Sequence, residues 1–319
     1  MNEKLIVSPA PHLKSKIKTK NIMLDVIIAL IPALIVAVIF FGFRALLLVV
    51  VTVATCVLSE FCAQKVMKRK NTIRDLSAVI TGLLLAFNLP PQLPIWMAIL
   101  GGIVAIVLVK QMFGGLGHNF VNPALTARAI LFVSFPIAMT FWTPPFAYLD
   151  QEVPPIQAVS EATPLGMLDA ENTEDLPSYS ELFLGLHAGS IGEVSALALA
   201  LGGIYLLIKK VITPTIPLFF ILTVFALAFL LGQDPFVHIL SGGLFLGAIF
   251  MATDYVTSPL TNKGKAIYAI GCGLLTVIIR VFGDLSEGVA FAIIIMSILV
   301  PFIDKITMPK AFKLEEGRK

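Results

Sequence analysis

Apolar residues run in long blocks along most of the chain, separated by short polar segments. Ten blocks approach the ~20 residues that a helix needs to cross a hydrocarbon layer. They are 22–41, 43–62, 73–89, 93–112, 123–140, 192–209, 214–232, 236–254, 265–281 and 286–304. Backbone groups in lipid have to be satisfied within the spanning segment, so the blocks predict helices rather than strands. The third block is short and ends in Asn88-Leu89-Pro90-Pro91, which marks a tilted or broken helix. The expected fold class is an all-α polytopic membrane protein with about ten transmembrane helices.

Composition supports that pattern. The chain has 319 residues, of which 57% are hydrophobic and 13% charged. Soluble domains carry roughly 25% charged residues. The N-terminal stretch is polar and rich in lysine, and the first apolar run is longer than the h-region of a signal peptide, so no secretory leader is expected. Cys56, Cys62 and Cys272 fall in or at the edge of apolar runs and form no CxxC pair. Packing residues are therefore expected, not a cysteine-held cluster or another metal site.

Charge then orients the blocks. Lys14, Lys16, Lys18 and Lys20 precede the first; Lys65, Lys68, Arg69, Lys70 and Arg74 follow the second. Lys110 ends the fourth, Lys209-Lys210 the sixth, and Lys263 and Lys265 open the ninth, with further cations in the C-terminal tail. With ten spans, all these segments share one side, which the positive-inside rule makes the cytoplasm. No Lys or Arg occurs from Ala129 to Ile208, and the 141–191 loop in that stretch carries eight acids, Asp150 to Glu181. The expected organisation is a cytoplasmic segment 1–21, a first membrane repeat 22–140, an acidic extracytoplasmic loop 141–191, a second repeat 192–304 and a cytoplasmic tail 305–319.

The two halves resemble each other. Pro94 to Gly101-Gly102 has the spacing of Pro235 to Gly242-Gly243, and Asn122-Pro123-Ala-Leu-Thr126 resembles Ser258-Pro259-Leu-Thr261. Five spans per half place the second half upside-down, giving two inverted five-helix repeats of the kind transport proteins use. Chance likeness among Gly- and Pro-rich helix ends is the alternative.

Several residues are candidates for chemistry. Phe113-Gly114-Gly115-Leu116-Gly117-His118-Asn119-Phe120-Val121-Asn122-Pro123 leads into the fifth block, with Asn122 placed to cap the helix that Pro123 begins. On spacing alone this turn is either a tight helix connection or a small polar pocket. Its counterpart is Met251-Ala252-Thr253-Asp254-Tyr255-Val256-Thr257-Ser258-Pro259. Ionisable residues in spans are costly and mark functional or paired positions. Arg128 is deep enough to need a partner, Glu60 and Arg280 are expected to reach the interface, and Asp25 or Asp254 can line a cation route. In the acidic loop, Ser160-Glu161-Ala162-Thr163-Pro164-Leu165 reads as a surface turn. The residue before proline is pushed out of the helical region, so Thr163 is expected at an extended corner with its hydroxyl exposed.

The runs SPAPH (8–12), GGLGHNFVNPA (114–124), SEATPLG (160–166) and MATDYVTSP (251–259) together resemble RnfD, the D component of the Rnf complex, the ion-translocating ferredoxin:NAD+ oxidoreductase. More distantly, the chain is similar to the B component of the sodium-pumping NADH:quinone reductase. The likeness extends over essentially the whole chain. It implies that a flavin transferase joins FMN through its phosphate to the Thr163 hydroxyl. It also implies a second, non-covalent flavin, riboflavin, toward the cytoplasmic half, where Asn119 and Asn122 hold the matching polar positions. Trp142, Phe146 and Tyr148 are possible ring neighbours of the FMN, a structural role being the alternative for each.

The resemblance further implies an electron-transfer subunit in the bacterial cytoplasmic (inner) membrane, with both termini cytoplasmic. It would couple electron flow from ferredoxin to NAD+ with Na+ or H+ transport, and be inactive alone. Its partners would be the A, B, C, E and G components of the complex, with no nucleic acid, and the chain itself would contribute no catalytic residue. The competing expectations are a solute channel or transporter of the same inverted-repeat fold without a redox role, and a structural scaffold for redox partners.

Overall fold

The structure, a computed structural model, describes residues 18–149, 163–169, 176–193, 195–283 and 288–308. Among the described residues it is built of helices, with no strand. Each of the ten apolar blocks is helical over most of its described length. The SPAPH run, Ser160, Glu161 and Ala162 lie outside the described residues.

Helix α1, Thr19–Val66, carries the first two blocks as two arms joined at Gly42. Gly42 has φ 73°, and a Cβ there would stand 2.9 Å from the Tyr148 ring. Glycine alone meets both demands at no steric cost. Each arm is about 34 Å long at 1.5 Å per residue, the scale of a bilayer core. Around the bend, the Phe146 amide donates to the Phe40 carbonyl (2.7 Å) and the Tyr148 hydroxyl to Ile39 (3.0 Å), while Phe146 stacks edge-on against Phe40. Trp142 is buried. Phe146 and Tyr148 thus make contacts that hold the bend.

The third block is helix α2, Ser77–Phe87, which stops where the sequence predicts a break. The fourth is α3, Ile95–Ile103, continued by a π-helical stretch Val104–Gln111. The fifth is α4, Pro123–Ser134, followed after Phe135 by the single turn α5, Pro136–Met139. The loop contributes two short helices, α6 (Pro164–Asp169) and α7 (Tyr179–Leu184). Then come α8 (Ala196–Ile208) and α9 (Thr215–Leu230), with α10 (Pro235–Leu240) and α11 (Leu244–Leu246) next. A second π-helical stretch, Gly247–Met251, continues α11. Helices α12 (Asn262–Phe282) and α13 (Val289–Thr307) complete the described chain.

Helix starts follow capping chemistry. Asn122 accepts from the Ala124 and Leu125 amides ahead of Pro123, and Asp234 accepts from the Phe236 and Val237 amides ahead of Pro235. In each, proline occupies a first-turn position whose amide would have no partner.

Helices α1, α12 and α13 are each long and apolar enough to cross a membrane, and α2, α3, α4, α8 and α9 are shorter apolar helices. Large apolar side chains such as Ile35, Phe43, Leu58, Leu218 and Phe229 stand exposed on the outside. A protein surrounded by water rarely tolerates so much exposed apolar surface. Inside, small residues let helices touch: a Cβ on Gly202 would overlap the Ala29 carbonyl oxygen. Such contacts supply the packing on which helix association in lipid depends.

Two stretches of non-helical backbone lie deep in the bundle, and each is held by an arginine. Around Asn88, which follows α2, Gly192 and Ile191 amides donate to the Phe87 (2.9 Å) and Leu89 (3.1 Å) carbonyls, and Arg128 Nε donates to Asn88 (3.2 Å). Between α10 and α11, Arg280 Nη1 donates to the His238 carbonyl (2.5 Å) and Nη2 to Ser241 (3.3 Å). Irregular backbone at membrane depth survives only where protein satisfies it. Arg128 therefore has the partner its depth requires. Arg280, expected to reach the interface, is instead 2% exposed. Its reach is spent on broken backbone.

Candidate functional site

The turn ahead of α4 and the turn after the second π-helical stretch are far apart in sequence and meet in space. Together they line a cavity of about 110 Å3 whose polar groups include Ser77, Lys110, Asn119, Asn122, Thr253 and Asp254. The walls are apolar, from α1, α2 and α8, and exposed Leu116 and Tyr255 also line it. An apolar cleft with a few convergent polar groups is the common form of a cofactor site.

Each polar group is set by its element. Asn122 spends its carbonyl oxygen on the α4 cap and its amide on the Met251 carbonyl (3.4 Å), so it ties the two motifs together. Asn119 is buried and donates to the Val121 carbonyl (3.1 Å). Asp254 accepts from Thr257 Oγ1 (3.3 Å) and the Val256 amide (3.4 Å). The structure thus brings Asn119, Asn122 and Asp254 to one cavity. Asp25 is absent from its lining and accepts from the Tyr205 hydroxyl (2.8 Å), bridging α1 and α8.

Behind Lys110 lies a buried polar network that the block pattern does not reveal. Lys110 Nζ lies 3.2 Å from Glu60 Oε1 and donates to Ser77 Oγ (2.6 Å). Glu60 also accepts from Gln111 (2.8 Å) and Gln64 (3.1 Å), and Gln64 donates to Thr72 (2.6 Å). Glu60 is 0% exposed, which corrects the interface position expected for it. Opposite charges near the same-side ends of the second and fourth blocks were the available signal. Cys56 and Cys272 are buried as expected, whereas Cys62 is exposed.

Thr163 stands elsewhere, outside that cavity's lining. It is 9% exposed and begins α6, its Oγ1 accepting from the Gly166 amide (3.2 Å) and its carbonyl from the Met167 amide (2.9 Å). The expected exposed corner is therefore a helix cap. Thr-Pro is a favourable cap and first-turn pair, but a helix this short leaves no periodicity to read. Leu165 of α6 packs on the break after α10: a Cβ on Gly242 would stand 3.0 Å from Leu165 Cδ1 and 3.1 Å from Arg280 Nη2.

That break also holds polar atoms in want of a partner. His238 and Ser241 are buried, and neither imidazole nitrogen of His238 nor the Ser241 hydroxyl has a hydrogen-bond partner among the described residues. Buried polar groups without partners are unusual and call for a reason. Nothing at the break or at the α4 turn brings together three potential metal ligands; among the described residues no such group exists.

Comparison with known proteins accounts for nearly the whole chain. The sequence model described as the NQR2, RnfD, RnfE family matches residues 6–313. Over 100% of this chain and 99% of the relative, the sequence is 49% identical to the D component of the Na(+)-translocating ferredoxin:NAD(+) oxidoreductase complex of Acetobacterium woodii. It is 41% identical to the D component of the proton-translocating ferredoxin:NAD(+) oxidoreductase complex of Clostridium ljungdahlii, over 96% of this chain and 95% of that one. It is 34% identical to the D component of an ion-translocating oxidoreductase complex of Escherichia coli, over 98% and 99%.

Proposed function

The chain belongs to the NQR2, RnfD, RnfE family, and from that premise we propose that it is the membrane electron-transfer subunit of an Rnf-type ferredoxin:NAD+ oxidoreductase. Its relatives are named for Na+ in one case and for protons in another, and the proposal takes Na+ or H+ as the transported ion. The chain is inactive alone. It works in the cytoplasmic membrane beside the A, B, C, E and G components. The observation that carries this reading is end-to-end similarity to relatives named as the D component of such complexes, at 49% identity over the full chain.

The proposed architecture is ten spans in two inverted repeats, with both termini cytoplasmic and the 141–191 loop outside. It is supported by the two π-helical stretches. Val104–Gln111 begins ten residues after Pro94, and Gly247–Met251 begins twelve after Pro235, each following the paired glycines. π-helical turns are rare and cluster at functional sites.

Thr163 is the proposed attachment point of FMN, added by a flavin transferase through a phosphodiester. The local chemistry fits. The Thr163 oxygen keeps a lone pair for the Gly166 amide after esterification. The break beneath α6 holds an imidazole and a hydroxyl without partners among the described residues, groups that hydrogen-bond the heteroatoms of a flavin. A flavin supplies one- and two-electron redox chemistry, and the protein positions it. Asn119 and Asn122 are the proposed contacts of a non-covalent riboflavin. Their cavity of about 110 Å3 accepts an edge of such a ring system, ordinary ligand pockets being roughly 300–1,000 Å3. With Thr163 outside and Asn119 toward the cytoplasm, electrons cross the membrane and return, and this route is the proposed drive for ion movement.

Flavin fluorescence of the denatured chain in a gel tests the redox assignment. The wild-type band fluoresces and the Thr163→Ala band is dark. A dark wild-type band from a complete, active complex favours the channel or scaffold alternative.

A further inference from the structure

Arg44 differs from the other basic side chains. It lies two residues past the Gly42 bend, so it sits at the end of the second α1 arm opposite Lys65. Helix α3 repeats that polarity: Pro94 precedes its start, whereas Lys110 lies near the far end of its π-helical continuation, beside Glu60. The Arg44 side chain is exposed. Its Nη2 donates to the Gln92 (3.2 Å) and Leu93 (3.5 Å) carbonyls. These bonds use one nitrogen of three. Nε and Nη1 have no partner among the described residues, and no carboxylate there pairs with the guanidinium.

Beside these N–H groups opens a cavity of about 630 Å3 between the α3 start and the α4–α5 corner. Met97, Phe135, Ile137 and Phe141 give it an apolar wall, and Gln92 and Ser134 a small polar corner with Arg44. Ile137 is 86% exposed, so the wall continues onto the outer apolar surface. Trp96 stacks edge-on against Phe135 at 5.3 Å. A half-exposed indole at a helix start is the usual marker of headgroup level.

We propose that this cavity binds an anionic phospholipid, its phosphate on the unused N–H groups of Arg44 and an acyl chain along Met97, Phe135 and Ile137. The amphiphilic shape decides the ligand class. An exposed cation at headgroup level is well placed to meet a lipid phosphate. The cavity joins that cation to an apolar wall open to the surrounding lipid. Arginine keeps its charge and donates to phosphate oxygens through several N–H groups; with Nη2 on the Gln92 and Leu93 carbonyls, the Nε–H and the Nη1–H groups each remain for one phosphate oxygen. Basic pockets between membrane helices bind anionic headgroups on the cytoplasmic side, and the same charge pairing is open to Arg44 at the opposite end of the arm.

The test is the lipid retained by the complete complex after purification in mild detergent, measured by mass spectrometry of extracted lipid and of the intact subunit. Arg44→Ala removes the charge along with two carbonyl contacts. Ser134→Asp leaves those contacts in place and sets a carboxylate in the same cavity, on an exposed residue. Both variants are expected to retain about fivefold less anionic phospholipid, the effect of one basic residue on an anionic headgroup. Arg44→Lys should retain most of it. Equal lipid retention in wild type and Ser134→Asp overturns the proposal, as does equal retention of zwitterionic lipid. So does a photocrosslinker at Ile137 that captures a neighbouring subunit rather than lipid.

Discussion

The Thr163 hydroxyl caps α6 through the Gly166 amide and is the proposed attachment point of the flavin. The family run marks the hydroxyl, and the following proline marks a corner. The cap bond to the Gly166 amide depends on α6 forming at all, and six residues are too few to reveal a helix by period. Thr163→Ala is expected to remove the covalent flavin and, separately, about 1 kcal/mol of local stability from the cap; Thr163→Ser should keep the cap, as a comparison of melting temperatures would show. Glu60 and Arg280 depart from the interface positions expected of them for one physical reason. Position along a span gives depth but not face, and both residues turn inward to partners on other elements. Lys110→Met is expected to leave Glu60 buried without its cation, at a cost of about 3–5 kcal/mol. A large fall in the detergent melting temperature should follow, mostly recovered when Glu60→Gln is added.

Among the elements, helices were legible wherever apolar blocks were long, and breaks wherever polar residues announced them. The stop after Phe87 was visible in Asn88-Leu89-Pro90-Pro91. The break at 241–243 was not, because Ser-Gly-Gly inside an apolar run is also common in packed membrane helices. The α1 bend depends on one residue. Gly42→Ala is expected to cost about 1–3 kcal/mol through a backbone conformation (φ 73°, ψ −166°) that is essentially glycine's alone, with more from the Tyr148 ring 2.9 Å from its Cβ; thermal unfolding in detergent measures it. In the outer loop, Ser178 and Glu181 form a reciprocal cap on α7. The Ser178 hydroxyl, then its amide, hold the Glu181 carboxyl below its ordinary 4.5. A lowered folded value means the contribution is full above about 4.5 and lost as pH falls through the folded value. The protection of the Leu182 amide, its exchange measured against the intrinsic rate at each pH, should therefore fall in acid, and Ser178→Ala should flatten that dependence.

For the molecule as a whole, composition and charge were enough for an all-helical membrane protein, because both act over the entire chain. The cavity shared by Asn119 and Asp254 was not legible, since only folding brings those two turns together. The proposed orientation is open to labelling with the cysteine already present. Cys62 is exposed while Cys56 and Cys272 are buried, so an impermeant maleimide should reach Cys62 only in vesicles with the cytoplasmic face outward. The thiol introduced by Ser178→Cys should react only in vesicles of the opposite sense. The account turns, however, on the redox group at one hydroxyl. The most direct measurement is peptide mass spectrometry of the loop from the active complex, cut with a Glu-specific protease because Ala129 to Ile208 offers no Lys or Arg to trypsin. FMN, less one water, is expected on the peptide containing Thr163. An unmodified Thr163 in that active complex would contradict it.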